Sequence, residues 1–128
     1  MSQEQLKILV VDDSDVLRRI VREALGVIEC EVFEASDGKK GLLALAEHPM
    51  DLVILDWHMP EMDGLEMFFA MKEQEKLMSI PVIMLTAEDH KESMLTAIRS
   101  GVRHYLTKPF THEDLLARVV QVLRLDQK

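Results

Sequence analysis

Leu52-Val53-Ile54-Leu55-Asp56 places four consecutive apolar residues directly ahead of a carboxylate. A short apolar run without polar alternation suits a strand covered on both faces. Such strands belong to parallel sheets whose crossover helices lie on either side. Outward from it, Ile8-Leu9-Val10-Val11 and Val82-Ile83-Met84-Leu85 repeat the pattern, whereas Glu31-Val32-Phe33-Glu34 and Tyr105-Leu106-Thr107 are shorter or more polar, as edge strands are. The intervening segments carry helical periodicity. In the first, Leu17, Ile20, Val21, Ala24 and Leu25 form one face, Arg18, Arg19, Arg22 and Glu23 the opposite one, and Gly26 a stop. At the far end Thr111 and Asp114 resemble a capping box ahead of an apolar stripe of Leu116, Val119, Val120 and Leu123, while Pro81 and Gly101 punctuate the fourth unit.

Strands joined by helices run parallel through right-handed crossovers. The expected fold is therefore α/β: a doubly wound, five-stranded parallel sheet in the order 2-1-3-4-5, with helices on both faces. One domain fills residues 1–128 with its core over about 7–125, leaving no room for an output domain. The switch point between the first and third strands is where such sheets bind ligands, at the carboxyl ends.

Charge and composition narrow the function. Of 128 residues 48% are hydrophobic, enough for a core without disulfides, and 23 acidic against 15 basic residues give a net charge of −8. That sign opposes attraction to nucleic acid phosphates and anionic lipid. Cys30 has no partner for a disulfide and no basic neighbour in sequence, the N-terminus lacks a secretory pattern, and no apolar run approaches the roughly 20 residues that span a bilayer. The expectation is a cytoplasmic protein with no direct nucleic acid contact and no membrane insertion.

The inferred topology brings Asp12 and Asp13, after the first strand, beside Asp56 at the end of the third. Clustered carboxylates oppose one another's ionisation, and Mg²⁺, which prefers oxygen ligands, relieves that cost. Taken alone, Asp12-Asp13 serves equally well as a cap for the first helix. Thr86, ending the fourth strand, and Lys108, ending the fifth, bring a hydroxyl and an ammonium to the same edge. Phosphoryl transfer to a carboxylate needs such a set: a nucleophile, a cation, and donors for the remaining phosphoryl oxygens.

Asp12-Asp13, Asp56-Trp57-His58-Met59-Pro60-Glu61-Met62-Asp63-Gly64, Thr86-Ala87 and Lys108-Pro109-Phe110 stand in the order and spacing of the response-regulator receiver family, and the chain resembles that family from Lys7 to about Leu125. The resemblance implies a flavodoxin-like (CheY-like) fold with Asp56 as phosphoacceptor. It implies Mg²⁺ bound by Asp13, Asp56 and the backbone carbonyl of His58, with Asp12 holding a water of the ion's shell. Thr86, Lys108 and the Ala87 backbone contact the phosphoryl group, a cis peptide precedes Pro109, and Thr86 and Tyr105 form the switch. His58 and Glu88 fall where family members tune dephosphorylation. The implied donor is a histidine kinase.

With no output domain, signalling runs through a partner bound in trans. Asp56-Trp57-His58-Met59-Pro60 with Ala87-Glu88 looks most like chemotaxis members that bind the flagellar motor switch. The alternative is a phosphorelay or other stand-alone receiver that exchanges phosphoryl groups with a histidine phosphotransfer protein. An electron carrier of flavodoxin type is disfavoured, because Asp12-Asp13 would repel a flavin phosphate. A phosphatase with an Asp-x-Asp motif is disfavoured by His58. The protein is expected to be no enzyme beyond acting on its own Asp. The methionines are expected as core and loop filler, Trp57 near the site, and Lys39-Lys40 at the solvated start of the second helix.

Overall fold

In the computed structural model, which describes residues 5–59, 61–87 and 91–126, strand and helix alternate as β1 (Leu6–Val11), α1 (Asp15–Leu25), β2 (Cys30–Ala35), α2 (Gly38–Glu47), β3 (Leu52–Asp56), α3 (Gly64–Lys72), β4 (Val82–Ala87), α4 (Lys91–Arg99), β5 (His104–Lys108) and α5 (His112–Asp126). Pro60 and Glu88 lie outside the described residues, as do the side chains of Lys91 and Met94. The strands are parallel in the order β2-β1-β3-β4-β5, as expected. Every residue of β3 is buried, while β2 buries only Ala35 and β5 only Leu106, which matches central and edge positions.

Alternation along each strand divides the core in two, because successive side chains point to opposite faces. Leu9, Val11, Val53, Leu55, Val82 and Met84 pack with Leu45 of α2, Met67, Phe68 and Met71 of α3, and Ala97 of α4. Ile8, Val10, Leu52, Ile54, Ile83, Leu85 and Leu106 pack with Val21, Ala24 and Leu25 of α1 and Leu115, Val119, Val122 and Leu123 of α5. Each fully buried aliphatic side chain contributes about 1.5–3 kcal/mol by leaving water, so the sheet is held from both sides.

Helix starts are set by side chains that occupy free N–H groups. Asp37 caps α2, Asp63 and Glu66 form a capping box on α3, and Thr111 and Asp114 exchange hydrogen bonds of 3.0 Å at the start of α5. Gly26 caps α1 in an ordinary right-handed conformation, and Gly101 after α4 takes φ +104°, where an L side chain is strained. Lys39 and Lys40 are exposed on the first turn of α2, as expected.

Three assignments differ from the sequence reading. The buried stripe of α5 is Leu115, Val119, Val122 and Leu123, whereas Leu116 is half-buried and Val120 is 37% exposed. Both sets satisfy a helical repeat, and only the packing against β5 and α1 decides between them. Arg18 does not stand in solvent: its side chain is 12% exposed and turns toward β2. Cys30, without a basic neighbour in sequence, meets Arg22 in space, yet burial outweighs that charge and raises the thiol pKa.

Candidate functional site

The acidic groups converge at the carboxyl ends of β1 and β3. One oxygen each from Asp12, Asp13 and Asp56 lie within 4.8 Å of one another. Asp12 is 1% exposed, and its Oδ1 accepts from the Ser14 N–H at 2.9 Å. Ser14 in turn caps α1, its Oγ accepting from the Leu17 N–H at 3.2 Å. The capping role open to Asp12-Asp13 thus belongs to Ser14, and both carboxylates remain available to the site.

Asp56 is 5% exposed and sits where the β3–α3 loop folds back over its own strand. The Gly64 N–H donates to the Trp57 carbonyl at 2.8 Å, and a Cβ on Gly64 would lie 2.2 Å from the Asp56 carbonyl oxygen. Only a glycine allows that approach. Glu61 in the same loop has φ +66°, an uncommon conformation for a residue with a side chain. Trp57 is buried beside the site, as expected.

Lys108 arrives from β5, its Nζ 2.7 Å from Asp56 Oδ1 and 3.7 Å from Asp12 Oδ2. The Lys108–Pro109 peptide is cis. Leu85 pairs in register with Asp56, and Ala87 with Lys108, so β4 delivers Thr86 and Ala87 between Asp56 and Lys108. Thr86 is 2% exposed, and its Oγ1 has no hydrogen-bond partner among the described residues.

Burial raises the Asp12 pKa to about 6, with Asp56 and Asp13 adding to the rise and the Ser14 hydrogen bond and Lys108 opposing it. Burial also raises Asp56, against the hydrogen bond and charge of Lys108. Three carboxylates held together with one ammonium between two of them are short of positive charge. Asp12 Oδ2 is buried with no hydrogen bond among the described residues. An all-oxygen set with an unsatisfied buried carboxylate oxygen fits a hard divalent cation such as Mg²⁺.

The remaining expected residues are placed more loosely. His58 is exposed, and its charge lowers the Asp56 pKa. Tyr105 is half-buried against the α2–α3–α4 side of the core and pairs in register with Met84, two residues before Thr86 on the same face. Glu88 lies outside the described residues. Sequence reasoning missed Ser14 as the α1 cap, Gly64 as the backing of Asp56, and Arg18, whose Nη1 donates to the Asp12 carbonyl at 2.5 Å. Ser14 was findable, since Ser just before a helical repeat is a cap signal; Arg18 was not, because nothing local reports a reach to another strand.

The family model for the response regulator receiver domain matches residues 8–120. The chain belongs to this family. This receiver is 38% identical over 120 residues to a chemotaxis protein CheY homolog of Campylobacter jejuni, covering 92% of each chain. Chemotaxis protein CheY1 of Helicobacter pylori is equally similar, at 38% identity over 92% of this chain and 97% of its own. The solved structure of Vibrio cholerae chemotaxis protein CheY4 superposes with a TM-score of 0.83 at 32% identity, covering 94% of this chain and 99% of that one. The receiver is thus CheY-like, a signalling module of the two-component type. Among the described residues no helix is long and apolar enough to cross a membrane.

Proposed function

We propose that this receiver is a phosphorylation switch whose acceptor is Asp56, charged by a histidine kinase in the presence of Mg²⁺ and read by a partner bound in trans. The observation that carries the reading is the convergence on Asp56 of Lys108, at 2.7 Å, with Asp12 and Asp13, from three separate strands. Asp13, Asp56 and the His58 carbonyl would hold Mg²⁺, with Asp12 beside it. The cation supplies charge neutralisation for the attacking carboxylate and the phosphoryl oxygens.

The chain's own groups do the rest. An Asp56 carboxylate oxygen attacks phosphorus in line as the donor's P–N bond breaks, and the departing imidazole takes up a proton. Lys108 is already hydrogen-bonded to Asp56 Oδ1; it follows the charge onto the phosphoryl oxygens. The buried Thr86 hydroxyl lacks a hydrogen-bond partner among the described residues, and it gains one by turning to a phosphoryl oxygen beside the Ala87 N–H. Tyr105, on the same face, then moves into the space that Thr86 leaves. Differential affinity for two such arrangements turns a local charge into a surface change.

Chemotaxis is the pathway we infer, because relatives 38% identical over nearly their whole length carry that name. The output would then be the flagellar motor switch. The experiment is intact-mass analysis after incubation with acetyl phosphate and Mg²⁺. One phosphoryl group is expected on the wild type and none on Asp56→Asn or after chelation; labelling of Asp56→Asn at the wild-type rate would overturn the assignment. Capture of a motor-switch protein only by the beryllofluoride-treated receiver supports chemotaxis. Capture of a histidine phosphotransfer protein instead would establish a phosphorelay.

A further inference from the structure

Arg18 stands on the face of α1 that the sequence assigns to solvent, yet its guanidinium is shared among three elements. Nη1 donates to the Asp12 backbone carbonyl at 2.5 Å, Nε to Glu34 Oε1 of β2 at 2.9 Å, and Nη2 to Asp15 Oδ1 at the start of α1. Glu34 is itself fixed by Arg22, whose Nε and Nη2 reach Oε2 at 2.9 and 2.6 Å. The Asp12 N–H donates to the Ala35 carbonyl at 3.1 Å. The backbone of Asp12 is therefore held at both ends, its N–H by β2 and its C=O by Arg18. That carbonyl belongs to the peptide plane joining Asp12 to Asp13, and the plane's orientation sets where the Asp13 Cα and its carboxylate stand.

An uncompensated guanidinium bonded to the Asp12 carbonyl would bring positive charge toward the cation site. Here Glu34 and Asp15 offset its charge, so what it adds is geometry. A planar fork with separate donors can make these bonds at once; a lysine ammonium on a flexible stem cannot hold the same angles.

We propose that Arg18, anchored by Glu34, is a positioning residue for the cation site: it fixes the Asp12–Asp13 peptide so that the Asp13 carboxylate faces Asp56. The proposal rests on reading Asp12, Asp13 and Asp56 as a Mg²⁺ site. Groups that orient metal ligands without touching the ion typically change affinity about 10–100-fold when removed.

The test is a MgCl₂ titration of the full chain followed by backbone amide resonances, at a temperature where melting curves show every variant folded. Arg18→Met is expected to weaken Mg²⁺ binding about tenfold or more and to shift the Asp13 amide in the metal-free protein. Arg18→Lys should behave like Arg18→Met. Glu34→Gln, which loosens the anchor and leaves the loop untouched, should show a smaller change of the same sign and serves if Arg18→Met does not fold. A lower melting temperature with unchanged Mg²⁺ affinity would overturn the proposal, as would full rescue by Arg18→Lys, which would make the role one of charge. Were the wild type to bind no Mg²⁺, the site reading would fall separately. The clamp would then be judged by the Asp13 amide alone, which overturns it if unmoved in Arg18→Met.

Discussion

Gly64 lies against the backbone of Asp56 so closely that a Cβ at Gly64 would stand 2.2 Å from the Asp56 carbonyl oxygen. The β3–α3 loop therefore rests on the residue it follows. Because the obstructing atom is backbone, Gly64→Ala displaces either the loop or the end of β3. The expected cost is about 1–3 kcal/mol, the range for forcing extra volume into a packed region, read by urea denaturation. Labelling by acetyl phosphate should fall as well. Wild-type stability would show that the loop can withdraw at little cost.

The raised pKa of Asp12 makes the metal-free protein sensitive to pH. A carboxyl whose pKa rises on folding, here from 3.8 to about 6, favours the folded state fully below the lower value and loses that contribution as pH climbs through the upper one. Asp12→Asn should thus stabilise the metal-free protein at pH 7.5, by an amount that fades toward pH 4. Mg²⁺ needs the ionised form, so its stabilising effect on the wild type should grow between pH 5 and pH 7.5. Equal Mg²⁺-induced shifts in melting temperature at the two pH values would contradict this account.

Lys108 gives a pair of effects with opposite signs. It is the ammonium bonded to buried Asp56, and its side chain is 31% exposed. Lys108→Met should destabilise the metal-free protein by about 1–3 kcal/mol, below the 3–5 typical of a fully buried pair because solvent reaches the lysine. The same change removes a competing positive charge and should tighten Mg²⁺ binding, while phosphorylation-dependent partner binding is lost. Lys108→Arg should keep some phosphorylation yet weaken that response, since a planar fork replaces a compact ammonium. Weaker Mg²⁺ binding in Lys108→Met, measured by the same titration, would show that the lysine organises the carboxylates more than it competes for them.

Thr86→Ala removes a buried hydroxyl that has no hydrogen-bond partner among the described residues, so it should leave stability nearly unchanged or slightly higher. Asp56 should still accept a phosphoryl group. Partner affinity with and without beryllofluoride is the informative quantity, and the gain should largely disappear. An undiminished gain would separate Thr86 from the switch.

The amino-acid sequence by itself determined the sheet and which side chains gather at its carboxyl edge. Apolar runs such as Leu52–Leu55 mark strands covered on both faces, intervening helical repeats enforce parallel crossovers, and with edge and centre distinguished by polarity the order followed. That order carried Asp12, Asp13, Asp56, Thr86 and Lys108 to one edge, because residues at strand ends go where topology sends them. Tertiary structure decided what depends on contacts between segments far apart in the chain. Leu115 and Val122 are fully buried, while Leu116 only flanks the core and Val120 is exposed, because α5 packs on α1 and β5 at one particular rotation. Gly64 must be glycine because its loop returns to Asp56. Arg18 leaves the solvent because Glu34, sixteen positions on, and the Asp12 carbonyl offer bonds that no local periodicity encodes. A repeat read along the chain reports which residues share a face; which neighbour that face meets is set by how the elements pack.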